Sequence, residues 1–434
     1  MKNVEYSPSR AAQLEEENSR LKISVQELSI LNEIASAISS TLSVEKIIEM
    51  IVQKCLKHFH IEQCAVMLLD RNEESSDFHT MIRKADESKI DIPYRLDSQL
   101  TGWMIINKKS LLVNDIKTDQ RFNITPDISV KIRSFLAVPL LTKGILTGII
   151  GVFNKKDKMD FTGSDERLLS IIASQSASVI DNARLLEDHQ ALIALQEELK
   201  HAAQIQKNLL PKTLPELKDY QIYAINIPAK EVGGDYYDFI KIGENKIAFC
   251  LGDVSGKGLS AALLMANLQA TLRSQIFFDL PCCETVQRAN LLLNQSTDGT
   301  QFVTLFIGVI DLMSNKIKFC NAGHNYPILI TADGNIKRLE EGGLLLGCLT
   351  ESTYKEASVE LNAGDLLCIF TDGISEAMNS DRVEFSEEKI LDLVKEFSHL
   401  NPEQISRKIL GSVRIHVDDE PQSDDITLLL IKRI

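Results

Sequence analysis

Gly233-Gly234-Asp235-Tyr236-Tyr237-Asp238, the apolar run Ile247 to Leu251, and Gly252-Asp253-Val254-Ser255-Gly256-Lys257-Gly258 decide how the C-terminal half of this chain is read. The apolar run predicts a strand. The glycines that follow it let the backbone turn sharply and expose a carbonyl beside Asp253. Outward from there, a helix is expected from Leu259 to about Arg273. Thr371-Asp372-Gly373 follows the buried run Leu366 to Phe370, and Asp424-Asp425 stands just before the run Ile426 to Ile431. Each acidic group therefore adjoins a rigid β segment. A lone Asp in a glycine turn is usually a turn former, so the joint pattern carries the reading.

Bringing Asp235, Asp253, Asp372 and Asp424 together is unfavourable without counterions, because close carboxylates repel and raise one another's pKa. Divalent cations remove that objection. With no His or Cys set nearby, all-oxygen ligation points to hard ions, Mg²⁺ or Mn²⁺, rather than zinc. A pair of such ions can activate a water for in-line attack on phosphorus, so the inferred reaction is phosphoester hydrolysis. Residues 218–434 hold 20 Lys and Arg against 31 Asp and Glu, which places 11 of the chain's 14 excess negative charges there.

Five ordered segments, Glu231 to Asp238, Gly252 to Gly258, Asn321-Ala322-Gly323-His324, Phe370 to Gly373 and Asp424 to Thr427, resemble the metal-dependent PPM protein phosphatases of the stage II sporulation E type. The resemblance implies a β-sandwich flanked by helices. It also implies two Mn²⁺ or Mg²⁺ ions bridged by Asp253, with the Val254 carbonyl assisting and Asp235, Asp372 and Asp424 completing the metal set. Asp253 and Asp372 would be the catalytic pair. The implied substrate is a phosphoserine or phosphothreonine protein, typically an anti-sigma-factor antagonist in a partner-switching circuit. Where many family members carry a His soon after the bridging Asp, this chain has Ser255 and Lys257, which leaves the general acid open. Asp425 is the weaker of its pair, read as capping the final strand, and Asp238 is read as supporting the site from outside it. His324 is read as a turn residue and Glu376 as support for a following helix. Ala203, Ile205-Gln206 and Leu209-Leu210-Pro211 resemble the helix that precedes this domain in the family and can act as its switch.

The rest of the 434-residue chain reads as a second α+β unit behind a helix. Leu14, Leu21 and Leu28, with Asn18 and Val25 between them, follow a coiled-coil seam, so residues 1–30 predict a dimerising coiled coil. Residues 31–185 hold a helical pattern from Leu31 to about His58 and a strand over Ala65 to Leu69. A short helix around Gly102 to Asn107 and the run Leu111 to Val113 follow. Two β pieces, Phe135 to Leu141 and Ile145 to Phe153, are joined at Lys143-Gly144. Leu100 to Trp103, Leu112 to Asp115 and Ala137 to Leu140 resemble the GAF family of small-molecule sensors. Asn154-Lys155, Phe161 and Asp165-Glu166 are similar to a pattern of its cyclic-nucleotide-binding members. The alternative is a core Phe161 and a helix cap at Ser164. A helical pattern from Ser164 to about Leu210 makes residues 186–217 a helical signalling linker ahead of the phosphatase domain, residues 218–434.

With 47 Lys and Arg against 61 Asp and Glu, the chain has the wrong sign for coating nucleic acid or anionic lipid. Its apolar stretches are too short for a membrane span, and Met1 to Arg10 is too polar for a signal peptide. The eight scattered cysteines suit reduced thiols. A cytoplasmic location is expected. A competing reading keeps the fold as a non-catalytic scaffold, against which stands the presence of all four acidic positions.

Overall fold

The computed structural model describes residues 43–69, 78–84, 98–119, 121, 132–297 and 299–434, with 13–15, 17, 18, 21 and 25 ahead of them. Contacts divide the chain into two units, Met1–Ala194 and Leu195–Ile434.

The first unit is a five-stranded antiparallel sheet in the order β2-β1-β5-β4-β3. Its elements are α1 (Val44–Phe59), β1 (Ile61–Leu69), β2 (Phe78–Lys84), α2 (Ser98–Asn107), β3 (Leu111–Val113), β4 (Phe135–Thr142), β5 (Ile145–Lys155) and the start of α3 (Gly163–Leu209). Burial of Ile47, Ile48, Ile51 and Cys55 marks one stripe of α1. That stripe packs with Leu169, Ile172, Ala173 and Ala177 of α3 on one face of the sheet. Lys143 and Gly144 both take positive φ between β4 and β5, as a two-residue hairpin turn requires.

The polar residues of the 154–166 pattern are engaged inside this unit. Asn154 accepts from the amides of Arg133 and Ser134 and donates to Glu62, while Lys155 pairs with Asp165 at 2.8 Å. Phe161 is buried, and Ser110 donates to Glu166. The helix cap falls two residues before the predicted Ser164: Thr162 Oγ1 accepts from the Asp165 amide, and Asp165 returns a bond to the Thr162 amide. A Gly at the first helical position lets Thr162 take that role. In the N-terminal stretch, Leu14, Asn18, Leu21 and Val25 are helical and exposed. Leu28, and the first part of the helical pattern that begins at Leu31, lie outside the described residues.

Beyond Ile180, α3 exposes Leu185, Leu186, Leu192, Ile193, Leu195 and Ile205. Among the described residues, no helix is long and apolar enough to cross a membrane.

The second unit is a sandwich of two sheets. Its elements run β6 (Tyr220–Ile227), β7 (Tyr236–Ile242), β8 (Lys246–Val254), α4 (Leu259–Ile276), α5 (Cys282–Ser296), β9 (Val303–Asp311), β10 (Lys316–Ala322), β11 (Ile328–Ile330) and β12 (Ile336–Arg338). They continue through β13 (Gly342–Gly343), β14 (Ala357–Glu360), β15 (Leu366–Phe370), α6 (Asp372–Ser375), α7 (Glu387–Phe397), α8 (Pro402–Val417) and β16 (Ile426–Arg433). One sheet runs β13-β10-β9-β8-β7 with β14 added on β10, and the other runs β12-β11-β15-β16-β6. Leu251, Phe306 and Phe319 of the first meet Leu367, Ile369, Leu429 and Ile431 of the second in the inner core. The outer faces are covered by α4 and α5 on one side and by α7 and α8 on the other. Because β15 and β16 are covered on both faces, their sequences are unbroken apolar runs rather than alternating ones.

Candidate active site

Four strand ends carry the acidic residues to one end of the sandwich. Asp235 immediately precedes β7, Asp253 is the last residue but one of β8, Asp372 opens α6 after β15, and Asp424 and Asp425 precede β16. Gly258 then starts α4 at φ 78°, a region a side chain would strain, so the chain leaves the Asp253 turn directly into helix.

Asp235 is buried, and its two oxygens are treated differently. Oδ2 accepts from Thr371 Oγ1 at 2.9 Å and Thr427 Oγ1 at 2.5 Å. Oδ1 is buried with no hydrogen-bond partner among the described residues. A buried carboxylate oxygen without a donor is strongly disfavoured unless a proton or a cation meets it. Close approach of backbone to the site needs the preceding glycines: a Cβ on Gly234 would stand 2.7 Å from the Val254 carbonyl oxygen, and one on Gly233 only 2.2 Å from Asp425 Oδ2.

The carboxylates lie within electrostatic reach of one another. Burial, then the charges of Asp372 and Asp424, push Asp253 up to about 7. Burial and the Asp253 charge raise Asp235 well above the usual carboxylate range, and burial with Asp424 raises Asp372. Among the described residues no three His, Cys, Asp or Glu side chains close into a cage around one point. Asp424 is paired with Lys257, whose Nζ lies 2.9 Å from its Oδ2. The fit to hard cations is thus one of chemistry: an all-oxygen set with repelling charges and an orphaned buried oxygen. Asp235, Asp253, Asp372, Asp424 and the Val254 carbonyl are the groups that would hold them.

Several neighbours take roles the sequence did not assign. Asp425 does more than cap a strand, since its carboxylate accepts from the amides of Ala229 at 2.7 Å and Gly234 at 2.6 Å, with Asp235 N at 3.4 Å. Gln206, near the end of α3, grips the same loop from another side: its Nε2 donates to Gly233 O at 2.6 Å, and its Oε1 accepts from Gly233 N at 3.1 Å. Sequence placed Gln206 in a switch-like helix but could not give its partner. Ser255 donates its amide to Phe302 O, and its Oγ accepts from the Phe302 amide at 2.8 Å, which fixes the hydroxyl oxygen of one of the two candidates for a general acid. Asp238 is turned away to α4, where Arg273 binds it at 2.7 and 3.1 Å and Tyr236 donates to it. Glu376 directly follows the one-turn α6 and faces Asp372, whose charge helps raise its pKa after burial. His324 forms the expected turn, with Asn321 bonding both its amide and its carbonyl. Burial lowers the imidazole to about 4, so the ring is neutral.

Residues 243–434 match the family described as Stage II sporulation protein E (SpoIIE), and residues 41–181 match the GAF domain family. The GAF match thus precedes the SpoIIE match in this chain. Protein IcfG of Synechocystis sp. is 29% identical over 266 residues, which cover 54% of this chain and 41% of that protein. Phosphoserine phosphatase RsbU of Bacillus subtilis is 29% identical over 253 residues, 57% of this chain and 74% of RsbU. The alignment thus spans under half of the first relative's length. The SiaA-PP2C domain of Pseudomonas aeruginosa superposes with a TM-score of 0.51 at 17% identity, covering 56% of this chain and 98% of that one, a likeness of fold. The SpoIIE match begins at residue 243, so Asp235 comes to the SpoIIE-type site from a loop before the matched region.

The raised carboxyls of this domain give a pH prediction with a definite sign. A carboxyl whose folded pKa lies above its unfolded value contributes stability that is complete below the unfolded pKa and is lost as pH rises through the folded one. For Asp253 that window runs from 3.8 to about 7. Cations bind the ionised form, so protons compete with them across the same window. Mn²⁺ at a hundredfold excess over its Kd stabilises by about 2.7 kcal/mol. Its effect on Tm should be larger at about pH 8 than at about pH 5.5. Equal Tm increments at the two pH values would remove the coupled cluster.

Proposed function

We propose that the SpoIIE-type domain is a metal-dependent serine/threonine protein phosphatase under the control of the GAF domain. The observation that carries this reading is the state of Asp235: one oxygen fixed by two threonine hydroxyls, the other buried without a donor beside Asp253. Two Mn²⁺ or Mg²⁺ ions, when bound, supply charge neutralisation at the phosphoryl group and an activated water.

The chain's own residues supply geometry. Thr371 and Thr427 fix the Asp235 carboxylate, while Asp425 and Gln206 hold the loop that carries it. Asp253 and Asp372 present the oxygens that face the reacting centre, and Asp424 completes the set once Lys257 releases it. Lys257, which also donates to Ser423 O, then offers a positive charge beside Asp424, suited to an anionic phosphoryl group.

RsbU, whose name describes a phosphoserine phosphatase, supports a phosphoprotein substrate. The sequence resemblance extends that to a phosphorylated anti-sigma-factor antagonist. The GAF domain is the sensor for a small molecule, a cyclic nucleotide among the classes its 154–166 pattern resembles. The exposed seam at Leu14, Leu21 and Val25 and the exposed apolar positions of α3 support a homodimer, whose helices would relay the signal. Purified protein should release phosphate from a phosphoserine protein only with Mn²⁺ or Mg²⁺ present; full activity in chelator would overturn the reading.

A further inference from the structure

α8 has a glycine in its interior that the fold does not use. Gly411 is exposed, and a Cβ built on it meets nothing within 4 Å. Glycine in a helix interior costs about 1 kcal/mol relative to alanine. No close packing or backbone conformation explains its presence, so what Gly411 provides is room. That room belongs to a cavity of about 1020 Å³ between α8 and the segments on either side of the acidic cluster.

Two features say what the cavity suits. Its wall includes Gly373 and Ser423, the chain neighbours of Asp372 and Asp424, so it opens beside the phosphatase site. Leu410, Val413 and Met378 give it an apolar lining, and Met378 is 43% exposed there. The wall is also less acidic than the domain: in a region with 31 acidic and 20 basic residues, Arg382, Arg407 and Arg414 share it with Asp418 and Glu420. Arg407 is paired with Glu403, whereas the guanidinium groups of Arg382 and Arg414 have no ion pair among the described residues. A partner with acidic and apolar side chains complements such a surface.

We infer that this cavity seats the stretch of the phosphoprotein substrate flanking its phosphoserine, taking an apolar side chain against Leu410 and Val413 and a carboxylate at Arg382 and Arg414. The inference rests on the phosphatase reading and names the substrate sequence that reading lacks. It also supplies recruitment outside the metal set.

The test uses the full chain and two labelled phosphoserine peptides of equal length, one flanked by Leu and Glu, the other by Gly and Lys. Fluorescence anisotropy in chelator reads binding without turnover, and kcat/KM with Mn²⁺ is read for both peptides and for p-nitrophenyl phosphate. The wild type should bind the Leu/Glu peptide about tenfold more tightly than the Gly/Lys peptide. Gly411→Phe puts a ring into the space, its Cβ meeting no neighbour within 4 Å. It should lose about tenfold in affinity for the Leu/Glu peptide, and its kcat/KM on that peptide should fall about tenfold relative to p-nitrophenyl phosphate. Gly411→Ala, which keeps the room, should bind as the wild type does. Wild-type affinity in Gly411→Phe, or a wild-type preference for the Lys peptide, overturns the inference. Absence of p-nitrophenyl phosphate hydrolysis by the wild type would sink the phosphatase reading alone, because the anisotropy comparison in chelator stands without it.

Discussion

Asp253→Asn should lower kcat by about a thousandfold or more, the equivalent of about 4 kcal/mol of barrier, and raise rather than lower the stability of the protein in chelator. The two signs come from one cause. Asp253 sits in a turn where burial, and then the charges of Asp372 and Asp424, push its carboxyl up to about 7. Above that pH its negative charge is held against its neighbours in the metal-free protein, and a neutral amide of the same shape relieves the repulsion. With Mn²⁺ present the same substitution removes the ligand proposed to reach both cations. A residue kept at the expense of stability marks a functional site, and opposite signs in the two assays separate that role from a structural one. A kcat within tenfold of wild type, at saturating Mn²⁺, would leave Asp253 outside the site.

Asp425→Ala is expected to act the other way, on folding first. Its buried carboxylate accepts from the amides of Ala229 and Gly234 and approaches that of Asp235. Gly233 lies so close against it that no side chain fits between them. Removing it strands two or more buried donors at about 1–3 kcal/mol each, for a total of about 3–5 kcal/mol and a fall in Tm of about 10 °C. Gln206→Ala loosens the same loop from the α3 side through two part-buried bonds to Gly233 and should cost about 1–2 kcal/mol. Both variants should bind Mn²⁺ more weakly, Asp425→Ala by the larger factor, as calorimetry will read. Wild-type Tm in Asp425→Ala would show that the loop is held by something other than these bonds.

The division between what could be read in the sequence and what could not follows from the range of the interactions. Local chemistry was legible. The apolar runs that became β15 and β16, the glycine turn at Asp253, the hairpin at Lys143-Gly144 and the turn at His324 are each fixed by residues adjacent in the chain. The joint pattern, rather than any one residue, singled out Asp235, Asp253, Asp372 and Asp424, since each alone reads as a turn former. The cap at Thr162 was missed by two residues, since Ser164 and Thr162 offer the same hydroxyl and only the backbone path chooses between them.

What sequence could not supply is which side chain faces which across the fold. Asp424 and Asp425 are neighbours with the same chemistry, yet one lies at Lys257 and the other is buried against Gly233 and Gly234. Asp235 and Asp238 share a motif, but the pleat before and along β7 sends one to Thr371 and Thr427 and the other to Arg273. Gln206 met Gly233 from 27 residues away, and the room above Gly411 exists only because α8 passes the turns of the acidic cluster. The sequence by itself determined the apolar runs, the glycine turns and the acidic residues beside them, since these depend on residue type and near neighbours. Only the tertiary structure decided the partner of each carboxylate and the shape of the space beside them, because burial and hydrogen bonding are settled by chain segments that are distant in sequence and meet on folding.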